Sequence, residues 1–186
     1  MFAKGRNEVQ VYIDESAIVL ERLLVDVPQL IKDEFAQFDN DIDRQVEGLD
    51  QEEAYSARQY FQNAYRVEDE PDMQNSFLEA MIAMVFSYCE RSLTRMLPTN
   101  KKPTQKHGES KMEATYREII TAYNLGGLDE ISKYWPNVDV FRQQRNNLIH
   151  GDNATRFTVE YVKQNLQCAH GWLRKVADEI AALPKP

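Results

Sequence analysis

Cysteine, glycine and proline are scarce in this chain. Only two of its 186 residues are cysteines, Cys89 and Cys168, and neither lies near a CxxC motif or a Cys/His cluster. Neither a disulfide framework nor a zinc site is therefore expected, and we expect no metal or other cofactor. Glycine and proline number 7 each, so few turn signals interrupt the chain and long helices are favoured.

Long apolar runs are also missing from the sequence. No stretch reaches the ~18 consecutive apolar residues that a membrane-spanning helix needs, and the opening sequence MFAKGRNEVQ lacks the apolar core of a signal peptide. We therefore expect a cytoplasmic protein that makes no contact with a membrane.

The overall composition is that of a folded globular protein. Hydrophobic residues make up 42% of the chain and charged residues 28%, a balance that separates it from disordered chains. A length of 186 residues suits one domain. We predict a single domain over residues 1–186, in which 1–68 form acidic N-terminal helices and 70–183 form a helical core.

Apolar residues recur at helical spacing along most of the sequence, and no segment shows the period of two that marks a strand. Pro28 is expected to kink or divide the first helix, and an acidic turn at 68–72 separates the second helix from the third. Residues 77–89 are apolar on almost every side, so this central helix should be buried all round. The fold class is therefore all-α, a bundle of about five to seven helices, with helices over 7–48, 51–65, 77–97, 111–123, 138–150 and 159–183.

Capping signals predict where several helices end. The helix over 111–123 should stop where Gly126 or Gly127 adopts the left-handed conformation. Asn137 can cap the next long helix, and Gly151 is placed to terminate it. The polar segment 99–111 should be a mobile surface loop, and it contributes the cations Lys101, Lys102 and Lys106.

Charge is distributed unevenly along the chain. Residues 1–90 contain 7 Lys and Arg against 20 Asp and Glu, a balance of −13, whereas residues 91–186 contain 15 against 10, a balance of +5. The net charge of −8 on its own argues against nucleic-acid binding, because phosphate contacts need cations. The uneven distribution leaves two interpretations open: solvated helix faces that differ by chance, or a C-terminal half that binds an anion.

Arg145 occupies an unusual place in the helix predicted over 138–150. On an ideal helix, at about 100° per residue, Phe141 and Leu148 lie on one apolar face and Arg145 falls in the middle of it. Removing a guanidinium from water is costly unless it is paired or hydrogen-bonded. Arg145 therefore runs along the core edge with its head in water, pairs with a carboxylate such as Glu90, or binds an anionic ligand.

His150 lies about 140° from Arg145 around a regular helix. The two side chains can meet only if the helix unwinds before Gly151, or if a second copy of the chain supplies its own motif. Asn146, one turn before His150, shares its face and could hold the imidazole by a hydrogen bond. A histidine that simply caps the C-terminus of a helix is the alternative interpretation.

The string Arg145-Asn146-x-x-x-His150, late in an all-helical chain and followed by a final amphipathic helix, resembles the signature of the HEPN superfamily. The resemblance covers residues 70–183, and residues 77–97 match the central helix of that family. It implies a HEPN-like fold that dimerises, and a metal-independent endoribonuclease that acts as a toxin or phage-defence effector. The implied partners are RNA, a second copy of the chain, and an antitoxin or inhibitor protein.

One position departs from the pattern of those HEPN proteins that a nucleotidyltransferase antitoxin controls. Such relatives carry Tyr two residues after the motif histidine, as the target of modification, whereas this chain has Asp152. Regulation by that route is therefore not expected.

The resemblance also implies roles for individual residues. Arg145 would bind the scissile phosphate, and His150 from each of two chains would act as base and acid, so that cleavage leaves a 2′,3′-cyclic phosphate and a 5′-OH. Asn146 completes the predicted catalytic group. Glu90 resembles a polar position that some relatives place beside the motif arginine, although a surface ion pair with Arg91 or Arg95 explains it equally well. Cations that could track the RNA backbone, or simply face solvent, are Arg142, Arg156, Lys101, Lys102 and Lys106.

A function of a different class competes with the nuclease. A helical module without catalysis, HEPN-like or unrelated, could serve dimerisation or bind RNA or a nucleotide. The acidic N-terminal half and the shortness of the motif favour this alternative, and a test for RNA cleavage separates the two.

Overall fold

The described residues form six α-helices. The computed structural model describes residues 6–65, 70–151 and 156–184, and no β-strand occurs in these ranges, so the predicted all-α bundle is confirmed. Glu68, Asp69 and Asp152, which the sequence singled out, lie outside the described residues. The helices are α1 (Arg6–Gln45), α2 (Gln51–Tyr65), α3 (Glu70–Met96), α4 (Lys111–Tyr123), α5 (Val138–His150) and α6 (Val159–Ala182), with 3₁₀ turns at Gly126–Leu128 and Ile131–Lys133.

Helix α3 lies at the centre of the bundle, and α1 and α6 pack along it. Aromatic rings fill the space beside these helices: the ring centroid of Trp135 lies 5.5 Å from that of Phe141 and 6.4 Å from that of Trp172. No helix of the described ranges is long and apolar enough to cross a bilayer. The sequence of the last helix predicts an apolar stripe of seven residues that begins at Val159, and this stripe is largely confirmed. Val159 is half-buried, and the other six are each exposed by 2% or less: Val162, Leu166, Ala169, Leu173, Val176 and Ile180.

The first half of α1 belongs to the same core. Five apolar residues from Val9 to Leu24 recur every three or four positions, and all are buried against the other helices. Beyond Leu24 the helix leaves the main core and pairs with α2, where Ile31 and Ile42 are also buried. The core therefore extends beyond residues 70–183 and includes part of the acidic N-terminal region.

Helix α1 continues through Pro28 without a break, so the expected alternative of a divided helix is wrong. Proline in a helix interior removes one backbone donor and crowds the preceding turn, at a cost of about 3 kcal/mol. Apolar side chains are buried on both sides of the proline, Leu24 before it and Ile31 after it, and such burial favours a continuous helix.

Helix α3 is not buried on every side, and the prediction that it is surrounded is wrong. Met81, Ile82 and Val85 face the core with no exposed surface, whereas Ala83 is exposed and Met84 is 41% exposed. The helices that pack against α3, namely α1, α4, α5 and α6, cover only part of its circumference. An apolar pattern shows which positions avoid water, but it does not show that the same chain covers all of them.

Two predicted helix caps differ from the structure, and one is confirmed. Helix α5 ends at Gly151, which takes the left-handed conformation. Helix α4 ends at Asn124, whose φ of 54° is left-handed, and not at a glycine; asparagine tolerates this conformation better than other residues with a side chain. Asn137 precedes α5 but makes no capping hydrogen bond through its side chain, so its predicted role is wrong.

A buried amide joins α6 to the segment that precedes α5. Asn165 is 3% exposed, and its Oδ1 accepts a hydrogen bond from Trp135 Nε1 at 2.7 Å. Its Nδ2 donates to the backbone oxygen of Tyr161 at 2.9 Å. Because Trp135 has no exposed surface, water cannot replace the amide as its partner.

Replacing Asn165 with alanine should leave the indole N–H buried without a partner. We expect the free energy of unfolding to fall by about 1–3 kcal/mol, measured from the urea midpoint at unchanged slope. Gln167→Ala, on the exposed side of the same helix, is the control and should change it by less than about 0.5 kcal/mol. If both variants lost the same free energy of unfolding, the buried hydrogen bond would contribute no more to stability than an exposed side chain does.

Candidate active site

The motif residues lie on α5 and at its C-terminal end. The helix remains regular through His150, and Gly151 takes a φ of 75°. The Gly151 N–H donates to the backbone oxygens of Asn147 and Leu148, which is the usual way in which a left-handed glycine stops a helix. Because α5 does not unwind before Gly151, that route for bringing Arg145 to His150 is excluded.

Arg145 lies at the edge of the core, half-buried. Its guanidinium carbon is 6.0 Å from the ring centroid of Phe86, and Phe86 stacks on Phe141 with centroids 5.4 Å apart. Its Nη1 donates to Asn146 Oδ1 at 3.2 Å. The guanidinium thus lies near one aromatic ring of the core, while part of the residue remains accessible to solvent.

No carboxylate among the described residues forms an ion pair with Arg145. The predicted alternative of a pair with Glu90 is therefore not observed. Nor does Glu90 form an ion pair with Arg95 in the described part of the chain: the Arg95 guanidinium stacks instead over the Tyr12 ring at 3.9 Å. In the single chain, Arg145 therefore runs along the edge of the core and has no carboxylate partner among the described residues. This position also allows Arg145 to bind an anionic ligand.

His150 is exposed at the last position of α5. On the regular helix it points about 140° away from Arg145, so one chain does not bring the two side chains together. The predicted hydrogen bond from Asn146 to the imidazole is absent from the described contacts. The Asn146 oxygen accepts a hydrogen bond from Arg145, so in the single chain Asn146 contacts the guanidinium and not the histidine.

Three of the five cations predicted to follow an RNA backbone are engaged in ion pairs. Lys101 lies 3.3 Å from Glu118, and Arg156 lies 3.1 Å from Asp72. Arg142 pairs with the carboxylates of Glu113 and Asp139. An RNA phosphate would have to compete with these intramolecular partners, which weakens the electrostatic contribution of each cation. Lys102 and Lys106 are exposed in the loop before α4.

Glu113 connects the start of α4 to α5, a role that the sequence interpretation missed. Its Oε2 accepts hydrogen bonds from the Ser110 backbone N–H and hydroxyl at 2.8 Å and 2.7 Å, and its Oε1 accepts one from Arg142. Burial raises the pKa of Glu113, but the Ser110 hydrogen bonds and the Arg142 charge outweigh it, so the pKa is lowered. Arg142 also pairs with Asp139 at 3.1 Å. The Ser-x-x-Glu spacing of a capping box at 110–113 was the signal that could have identified Glu113.

The loop before α4 is on the surface, as predicted, but several contacts hold it to that helix. Arg117 Nε donates to Glu109 Oε1 at 2.9 Å, and Arg117 Nη2 donates to the Thr104 backbone oxygen at 2.8 Å. Glu109 Oε2 accepts from the Lys106 backbone N–H at 2.8 Å. These bonds to the charged form lower the pKa of Glu109 to about 2, with Arg117 as the main cause.

A cleft of about 400 Å³ lies between α4 and α5. Glu113, Arg117 and Arg142 line it, together with apolar side chains of α4, whereas neither Arg145 nor His150 does. The predicted catalytic residues therefore lie on an open surface of the single chain, outside this cleft.

Comparison with protein-family models, with curated proteins and with solved structures finds no match for this chain. Within the described ranges, no group of three or more His, Cys, Asp or Glu side chains is placed to hold a metal ion. The candidate site is accordingly defined by its own residues: Arg145 supported by Phe86 and Asn146, and His150 at the exposed end of the same helix.

The Glu109 carboxyl should titrate far below its ordinary value. Because its pKa falls from 4.5 to about 2 on folding, the attachment of the loop contributes stability above the ordinary pKa and loses it as the pH falls through about 2. Carboxyl-carbon NMR measures this midpoint directly. Arg117→Ala should return it toward 4.5, Lys133→Ala should not, and a midpoint near 4.5 in the unaltered protein would contradict the geometry.

Proposed function

We propose that this chain is a metal-independent endoribonuclease of the HEPN type, with an active site formed between two copies of the chain. The observation that carries the proposal is the environment of Arg145, a half-buried cation for which the described residues provide no carboxylate. The neighbouring Arg142, by contrast, is paired with Glu113 and Asp139.

The guanidinium of Arg145 suits a phosphate. Its planar array of N–H donors matches two phosphate oxygens at once, and the Asn146 oxygen and the Phe86 ring restrict its orientation before any ligand binds. A cation held in place at an apolar edge binds an anion more strongly than a mobile surface lysine does, since less water screens the pair. Arg145 therefore stabilises the charge that develops on the phosphate during cleavage.

RNA supplies its own nucleophile, and histidine can manage the protons. One imidazole removes the proton from the 2′-OH as its oxygen bonds to phosphorus. A second, protonated imidazole gives a proton to the 5′ oxygen as the bond between phosphorus and that oxygen breaks. The products are a 2′,3′-cyclic phosphate and a 5′-OH, and no metal is needed for either transfer. Histidine suits both roles because its unperturbed pKa is about 6.5.

Two copies of the chain are needed because each supplies only one motif histidine. Within one chain α5 stays regular, and Arg145 and His150 diverge by about 140°. A symmetric dimer provides two of each residue, so His150 of one copy can approach the phosphate held by Arg145 of the other. His150 is exposed and can be reached by a partner.

Unrestrained RNA cleavage harms the cell that contains the enzyme. We therefore assign the chain, with the motif resemblance as support, to the toxins or phage-defence effectors that act in the cytoplasm under an antitoxin or inhibitor protein. RNA is the proposed substrate. Arg142, Arg156 and Lys101 would contribute to its binding only after exchanging their intramolecular carboxylates for phosphates.

A non-catalytic module that binds RNA or a nucleotide, or that serves dimerisation, is the competing function. The ion pairs of Lys101, Arg142 and Arg156 favour it, because they leave few cations to hold a long polynucleotide. The two functions differ in one testable respect. If the protein is a non-catalytic module, replacing His150 does not change whether RNA is cleaved.

Purified protein should cleave single-stranded RNA in the presence of EDTA and leave 2′,3′-cyclic phosphate ends, which mass spectrometry identifies. Arg145→Ala should lower kcat by about 10²–10³-fold, and His150→Ala by about 10²–10⁴-fold. His107→Ala and Arg44→Ala, which alter exposed residues outside the motif, are the matched controls and should retain activity. Equal cleavage by all five proteins would identify a contaminating nuclease.

Mixing tests whether the active site is shared between copies. When an equal amount of the His150→Ala chain exchanges subunits with wild type, about half of the wild-type chains acquire an inactive partner. We expect the RNA cleavage rate at constant wild-type concentration to fall to about half, and to fall further with excess variant. An inert unrelated protein should leave the rate unchanged. A rate that is independent of added variant would place a complete site in one chain.

A further inference from the structure

One face of α3 is apolar and uncovered by the described helices. Met73 and Met84 are 40% and 41% exposed, and Ala80 and Ala83 are exposed between them. The four residues recur at helical spacing on one side of α3, and Arg91 ends the row. We call this row, from Met73 to Arg91, the α3 face; it is about 27 Å long.

Helix α1 extends the α3 face on one side. Val19 is 54% exposed, and a groove of about 520 Å³ runs between it and Met84. Polar side chains line the groove as well, namely Glu15, Ser16, Ser87 and Arg91. Single exposed apolar residues are ordinary, but exposed apolar side chains that two helices place along one groove are typical of a protein interface.

Helix α5 flanks the α3 face on the other side and runs antiparallel to α3. Phe141, near the start of α5, stacks on Phe86 in the second half of α3, and the backbone N–H of Phe157, just after α5, donates to Asn75 near the start of α3 at 3.0 Å. Arg145, one turn beyond Phe141, therefore lies beside the middle of the α3 face.

The charges at the two ends of α3 have opposite sign. Glu70 and Asp72 lie in its first turn and Arg95 in its last. Arg91 lies one turn before Arg95, and although Glu90 precedes it, the arginines outnumber the carboxylates at this end. Asp72 also pairs with Arg156. A second α3 placed antiparallel on the first would bring the acidic end of each helix to the basic end of the other, whereas a parallel pairing would place like charges together.

We infer that the α3 face is the surface through which two copies of this chain dimerise, with the two α3 helices antiparallel and the two-fold axis crossing them near Ala80 and Ala83. The choice of a second copy as the occupant rests on the proposed function, in which the site is incomplete without one. The complementary charges of α3 support the same occupant independently.

Antiparallel pairing has a consequence for the active site. In an antiparallel pair the two-fold axis lies in the interface and is perpendicular to both α3 helices. Rotation about this axis reverses the direction of α3, but it leaves the helix on each side of α3 at the same edge of the interface. The α5 helices of both copies therefore line one edge of the interface, and the α1 helices line the other. Both copies of Arg145 and His150 then border a single groove, which a parallel pairing would divide between opposite edges.

Ala83→Glu tests the interface, because the two-fold axis places the two introduced carboxylates close together. Sedimentation velocity should show a wild-type dimer and a folded Ala83→Glu monomer, with the dissociation constant raised by at least about a hundredfold. Ala122→Glu, at an exposed alanine of α4, is the matched control and should remain dimeric. A monomeric wild type, or an Ala83→Glu variant that dimerises as wild type does, would overturn the inference.

A disulfide gives a second measurement that does not depend on weakening the dimer. In a Cys168→Ser background, mild oxidation should link Ala83→Cys chains to each other, because residues beside the axis meet their own copies. Cys89 is wholly buried and does not compete. Ala122→Cys should stay unlinked, and equal linking at the two positions would count against the α3 face.

The experiments can contradict the proposed interface and the proposed nuclease activity separately. A dimer that Ala83→Glu dissociates but that leaves RNA intact would remove the proposed function and keep the interface. RNA cleavage that requires His150 and persists in a monomeric Ala83→Glu variant would remove the shared site, and with it the reason for choosing this pairing.

Discussion

The regularity of α5 is the constraint on which the account depends. Gly151 stops the helix only after His150, so the backbone holds Arg145 and His150 on different sides of one rigid element. If the end of α5 were unwound, Arg145 and His150 of one chain could form a site together. Because α5 is regular, both residues can act on one phosphate only if a second copy of the chain takes part. The uncovered surface of α3 beside Arg145 is where we propose that this copy binds.

Features that depend on local interactions were predicted well from the sequence. The limits of α2, α4 and α5 agree with expectation because apolar spacing and turn residues act within a few positions, and the apolar stripe of α6 is buried as its pattern requires. The exposure of Met84 could not be predicted in this way. Periodicity identifies an apolar surface, but whether that surface is covered by the same chain is a property of the whole packing arrangement.

In the candidate site, too, local features could be predicted from the sequence and long-range contacts could not. The position of Arg145 at an apolar edge follows from helical geometry, and the structure has it half-buried against Phe86. The partners of Arg142 and Arg156 are residues far away in sequence, Glu113 and Asp72, and no local pattern reports such pairs. A count of cations in the C-terminal half therefore overstated the positive charge available to RNA, and it gave no indication that Arg145 lacks the kind of carboxylate partner that Arg142 has among the described residues.

The central claim is that two copies of the motif share one phosphate. A crystal structure of the protein with a short RNA carrying a 2′-deoxy nucleotide at the cleavage position would test it most directly, because that RNA binds but lacks the nucleophile. The account predicts one phosphate contacted by Arg145, with the imidazoles of His150 from both chains on either side of it. Two copies of His150 that face solvent on opposite surfaces of the assembly would contradict it.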